Sequence, residues 1–161
     1  MLNAELSDKI RHTLDACDAH RSRMISALTK IAFLFPLTES GFRELTEDQI
    51  SYSDQLILRF LKLQDLIGKK LFTLVLLILQ EDYTDRPILD IINRVEQLKI
   101  IDSAEEWISL REVRNMITHD YPHLVTELTE GLNLLSIKAP ELSSLYEKIR
   151  EYTIKRIKGI T

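Results

Sequence analysis

The stretch WISLREVRNMITHDY, residues 107–121, decides how this chain is read. At about 100° per residue, Leu110, Arg114, Ile117 and Tyr121 fall on one side of a helix, close to Trp107. The spacing predicts an amphipathic helix opened by the capping box Ser103-Ala104-Glu105-Glu106. Pro122 disfavours helical geometry at Tyr121, so this helix is expected to end or kink near His119–Tyr121. Arg114 then sits in or beside the apolar stripe, where it needs a carboxylate, backbone carbonyls or an anionic ligand. Glu112, Asn115 and His119 take another face. Asn115 stands one turn before His119, where its amide can orient the imidazole or bind a substrate oxygen.

Working outward, the same periodicity gives a helix on each flank. Residues 4–33 read as a long first helix, with Leu6, Ile10, Leu14, Cys17, Met24, Leu28 and Ile31 at helical spacings. Phe35-Pro36 and Ser40-Gly41 mark a loop. Thr46-Glu47-Asp48-Gln49 is a capping box, and a second long helix is expected from there to about Gln80, bent at Gly68. Asp82–Arg86 reads as a turn, and Pro87 suits the first turn of a third helix reaching Leu98. After the motif helix, one further helix is expected to about Ile137. A last one begins near Pro140, with Leu142, Leu145, Ile149 and Ile157 as its inner stripe. The expected fold is all-α: an up-and-down helical bundle with an additional long N-terminal helix, one domain over residues 1–161.

Composition agrees with helices and bounds the function. Of 161 residues 45% are hydrophobic, with only four Gly and four Pro, and Leu, Ile, Glu and Lys dominate. Cys17 is the single cysteine, so no internal disulfide is expected and a reducing cytoplasm fits. The first residues lack the basic start and apolar core of a signal peptide. The longest apolar run, Leu71–Leu79, is too short to span a bilayer. A net charge of −4 argues against indiscriminate nucleic-acid binding but permits a local cationic cleft. His12 and His20 stand eight apart with no further ligand nearby, so neither a metal site nor a cofactor is expected. Gly-rich phosphate loops and Gly-x-Ser-x-Gly strings do not occur.

The chemistry that residues 107–121 offer is metal-free. Arginine is a permanent cation and histidine titrates near neutrality, so together they can bind a phosphodiester and move a proton on it. The string Arg114-Asn115-x-x-x-His119-x-Tyr121, with Trp107 ahead of it, resembles the Arg-x4-His-x-Tyr signature of the HEPN superfamily, specifically the HepT-like toxins of two-gene toxin–antitoxin modules. The resemblance is sharp over residues 107–121 and looser over 56–135, and residues 1–45 lie outside it. It implies a homodimer whose motif helices pair across a two-fold interface, placing two Arg–His sets in one groove. It further implies an endoribonuclease with Arg114, His119 and Asn115 at the catalytic site. The implied partner is a nucleotidyltransferase antitoxin, encoded beside the toxin, that transfers AMP to the residue matched by Tyr121.

Each of these residues also has a plainer reading. Arg114 can be a structural ion-pair partner, His119 a helix-end cation opposing the dipole, and Tyr121 a packed ring with its hydroxyl at the rim. Trp107 is read as core. Taken singly the plain readings win, and taken together the string favours function. Arg59, Lys62, Lys69 and Lys70 give the second helix a cationic character that could flank an RNA groove. The tail from Glu147 carries Lys148, Arg150, Lys155, Arg156 and Lys158 against Glu147 and Glu151, a pattern more often a solvated face. The competing function is a catalytically silent HEPN subunit that binds the nucleotidyltransferase, or its nucleotide, as an interaction module.

Overall fold

A computed structural model describes residues 4–119 and 124–158, with the side chain of His119 outside the description. The described chain is all-α and contains no strand: α1 (Ala4–Ile31), α2 (Glu39–Arg43), α3 (Glu47–Leu66), α4 (Phe72–Ile78), α5 (Ile88–Gln97), α6 (Ala104–His119) and α7 (Val125–Lys158). α1 and α3 pack along much of their length, and α6 lies against both α3 and α7. One continuous apolar cluster runs through the bundle, with Ile10, Met24, Leu56, Phe60, Ile67, Phe72, Trp107, Leu135 and Ile149 at its centre. Among the described residues no helix is long and apolar enough to cross a membrane.

The local signals explain most of the boundaries. Thr46 caps α3 with a complete capping box: its Oγ1 accepts from the Gln49 amide at 3.2 Å, and Gln49 Oε1 accepts from the Thr46 amide at 2.9 Å. Ser103 caps α6 by accepting from the Glu106 amide, while Glu96 takes the Ala104 amide at 2.6 Å. α4 ends without a glycine. Gln80 takes the left-handed conformation at φ 62°, and the Glu81 amide reaches back to the Leu76 carbonyl.

Three expectations need correction. The region around Ser40-Gly41 is not only loop: Thr38 caps the short α2, and Asn133 clamps the segment to α7 through both the amide and the carbonyl of Leu37. The second long helix is not a single bent α-helix, because Ile67–Leu71 forms a π-helical turn between α3 and α4. Nor does a new helix begin at Pro140. α7 runs unbroken through it for 34 residues. A proline inside a helix removes a backbone hydrogen bond and costs about 3 kcal/mol. Here Leu132, Leu135, Ala139, Leu142 and Leu145 form one buried stripe across the proline, so packing outweighs the local penalty.

Candidate functional site

The motif helix meets α3 at the π turn, and a glycine makes that meeting possible. A Cβ on Gly68 would lie 3.1 Å from the Trp107 ring, so glycine lets the indole pack this close to the backbone without being pushed aside. Trp107 is fully buried and packs edge-on against Phe72, with ring centroids 5.0 Å apart. Its Nε1–H has no hydrogen-bond partner. π turns insert one residue into a helix and often occur at functional sites. This one buries Ile67, Gly68 and Leu71 while turning Lys69 and Lys70 outward.

Beside that contact, Arg114 reaches across to Asp65 on α3. Its Nε donates to Oδ1 at 2.8 Å and its Nη2 to Oδ2 at 3.0 Å, a two-pronged pair that matches the planar fork to the carboxylate. The hydrogen bonds to Asp65 hold the guanidinium above its ordinary pKa, so it stays a cation at any working pH. Arg114 Nη1 stands 3.4 Å from Asn115 Oδ1, and Lys69 Nζ lies 3.9 Å from Asp65 Oδ2.

These groups line a cavity of about 270 Å³ together with Gln64, Trp107 and Arg111. Lys69, Arg111 and Arg114 face a single carboxylate, Asp65, so the cavity keeps a net positive charge. Arg111 has no carboxylate partner among the described residues. The arrangement suits a phosphate or another oxyanion, with amide groups from Gln64 and Asn115 beside it.

Of the residues expected in the site, Arg114 and Asn115 line this cavity. His119 does not come close to Arg114 by a break in the helix, because α6 is helical through His119. Five residues at about 100° each carry it roughly 140° around the axis from Arg114. Its side chain, and Tyr121 with Pro122, lie outside the described residues. The four cations expected to flank a groove are divided. Lys69 lines the Arg114 cavity and Lys70 is exposed on the π turn, whereas Arg59 and Lys62 belong to the seam with α1, where Arg59 Nη1 is 3.0 Å from His20 Nδ1. The basic tail is mostly the solvated face expected: Lys148, Lys155, Arg156 and Lys158 are exposed, Lys148 pairing with Asp102 and Arg156 lying over the Tyr152 ring, while Arg150 is half-buried on Asp18.

Sequence reasoning missed Asp65, Gln64 and Arg111. Arg111 is detectable in principle, since it stands one turn before both Arg114 and Asn115 on the same helix. Asp65 is not, because its link to Arg114 crosses between two helices far apart in the chain. Among the described residues no three of His, Cys, Asp and Glu are grouped to hold a metal ion. No protein-family model matches this chain, and neither a curated protein nor a solved structure matches it.

Proposed function

We propose that this protein is a metal-independent endoribonuclease of the HepT-like type, acting as a homodimeric toxin held in check by a nucleotidyltransferase antitoxin. What supports this reading above all is the net-positive cavity built on Arg114 and Asn115, the same residues that carry the motif. RNA cleavage by its own 2′-OH needs a base near that hydroxyl, charge stabilisation at the scissile phosphate and a proton for the leaving oxygen. His119 serves as the acid or base, Arg114 stabilises the charge developing on the phosphate, and Asn115 positions one of these groups. The bidentate Asp65 carboxylate occupies the fork that a phosphate would occupy, so substrate binding exchanges one oxyanion for another.

The helical course of α6 gives the dimer its role. On one copy Arg114 and His119 diverge around the axis, and a second copy laid against α6 supplies the missing member. A groove beside the motif helix, with an apolar floor of Ile57, Met116, Leu128 and Leu132 and with Glu127 and Glu130 also lining it, offers that second copy a surface. AMP on Tyr121, two residues beyond His119, would bring negative charge and bulk to the cleft and exclude RNA.

Purified protein is expected to cut RNA in EDTA, leaving 2′,3′-cyclic phosphate and 5′-hydroxyl ends. Expressed alone, it is expected to be toxic. Equal cleavage by wild type, Arg114→Ala and His119→Ala would point to a contaminant and sink the nuclease reading. The second reading, a silent module that binds the nucleotidyltransferase, is favoured by one observation: Arg114 already has a complete structural partner in Asp65. It predicts complex formation with the partner that survives Arg114→Ala, and no RNA cleavage.

A further inference from the structure

Several cations of this protein are matched by carboxylates, among them Arg21 by Glu147, Arg94 by Glu81, Lys148 by Asp102 and Arg150 by Asp18. The seam between α1 and α3 is different. Arg59 on α3 is half-buried, and its Nη1 donates to His20 Nδ1 on α1 at 3.0 Å. Because arginine only donates, Nδ1 must accept, which leaves the neutral imidazole with its proton on Nε2. Arg59 Nε is buried with no partner. Lys62, one turn further along α3, and Arg23, one turn beyond His20, are both exposed. Among the described residues no carboxylate pairs with Arg23, Arg59 or Lys62. Burial, and then Arg59, Lys62 and Arg23, hold the His20 imidazole below its ordinary pKa, so every charge it feels strongly is positive. An uncompensated cationic cluster in a chain of net charge −4 is a place where an anion is missing.

We propose that His20, Arg23, Arg59 and Lys62 form a phosphate-binding station for the backbone of RNA, separate from the Arg114 cavity and feeding it. The proposal rests on the RNA reading given above. Two features favour a nucleic-acid strand. The half-buried Arg59 holds its positive charge at the seam, with the exposed Lys62 and Arg23 as flanking charges and His20 Nε2–H as a further donor to phosphate oxygens. The cluster also leads somewhere: Arg59, Lys62 and Asp65 step three residues at a time along regular α-helix, a diagonal ridge rising about 4.5 Å per step. The ridge runs from the α1 seam to the carboxylate that holds Arg114, so one strand can touch both places.

The test measures binding and cutting separately. A fluorescent single-stranded RNA twelve-mer is titrated against the His119→Ala protein by anisotropy, at several salt concentrations. Arg23→Met/Lys62→Met removes two station charges and keeps the aliphatic stems. Arg11→Met/Lys155→Met removes the same charge elsewhere. The station pair is expected to weaken binding at least tenfold and to lower the slope of log affinity against log salt by about 1.4, roughly 0.7 per lost phosphate contact. The control pair is expected to stay within about threefold of the parent. Equal losses in both pairs, or none in either, overturn the station, and so does the absence of any RNA binding. Cleavage by the otherwise wild-type protein is scored alongside. Cutting that ignores the station pair leaves the nuclease reading standing without the station. Station-dependent binding with no cutting does the reverse. Arg59→Met, followed by circular-dichroism melting, adds a variant at the half-buried member whose fold is monitored directly.

Discussion

Two Asp–Arg pairs cross between helices among the described residues, and the sharpest difference between them lies in their neighbours. Asp18 on α1 receives Arg150 Nε from α7 at 3.0 Å, and it also receives the hydroxyl of the fully buried Tyr146 at 2.6 Å. Arg21 lies over the Tyr146 ring and bonds Glu147, and where Asp18 and Arg150 line a cavity with Arg11 and Lys158, a second carboxylate, Asp15, stands beside them. Asp65 receives Arg114 by two parallel bonds, but around it stand Lys69, Arg111, Gln64 and Asn115, with no second carboxylate. An ion pair between helices therefore says little by itself. A pair tied to a buried hydroxyl and accompanied by further carboxylates fastens helices, whereas on the proposed function a lone carboxylate among three cations can be exchanged for another anion.

The largest expected effect separates the two arginines. Arg114→Ala is expected to lower the rate of RNA cleavage by about 10²–10⁴, the usual loss for one member of a catalytic acid–base or charge-stabilising set, in a bundle that still folds although Asp65 loses its partner. Arg150→Ala should separate from it in the rate: it leaves Asp18 half-satisfied, so melting falls here too, while the cleavage rate per folded molecule is kept. If Arg150→Ala abolishes cleavage in folded protein, or Arg114→Ala unfolds the bundle, the distinction collapses.

A smaller effect belongs to the turn that shapes the cavity. Gly68→Ala forces a methyl to 3.1 Å from the Trp107 ring, which is held by Phe72 and cannot swing away like a flexible chain end. Overpacking of this kind costs about 1–3 kcal/mol, and the measurement is denaturant unfolding. RNA binding should weaken in parallel, because moving α6 from α3 spreads apart the cations that line the cavity. The corresponding substitution at Gly131, inside α7, meets no atom within 4 Å and is expected to stabilise by about 0.5–1 kcal/mol through helix preference alone.

How much of this was legible in the chain follows from the range of the forces involved. Helix identity, the Thr46 and Ser103 caps and the burial of Trp107 are local or periodic, and sequence carries such signals directly. The course of α7 through Pro140 was not legible. A stripe of tertiary packing overrides the proline, and packing partners lie elsewhere in the chain. The site divided the same way. Arg114 could be expected to need a partner, since an arginine against an apolar stripe cannot stand alone, yet nothing local named Asp65, forty-nine residues earlier. The π turn was visible only as a weak point at Gly68, because an inserted residue in a helix leaves no periodic trace once the pattern resumes.

The smallest effect tests the Asp18 network, and its pH dependence makes it specific. Tyr146→Phe removes one hydrogen bond to Asp18 while Arg150 remains, so near neutral pH the variant should be less stable by about 1 kcal/mol. The phenol is pushed well above its ordinary pKa of 10.0, first by burial and then by the bond to Asp18. A folded-state pKa raised in this way gives stability that is whole below the unfolded value and lost as pH rises past it, because only the unfolded chain releases the proton. Above pH 10 the wild type should therefore lose about 1.4 kcal/mol per unit through this group, a loss the phenylalanine variant does not share. Burial, then Asp18, likewise raises the Cys17 thiol from 9.0 to about 12, but that alkaline loss falls on both proteins alike. The gap between them should close and reverse within about one unit above pH 10, read by urea unfolding across that range. A gap that stays constant to pH 11 would mean that Tyr146 ionises as easily folded as unfolded, and that the buried hydroxyl does not set the Asp18 pair apart from the Arg114 pair.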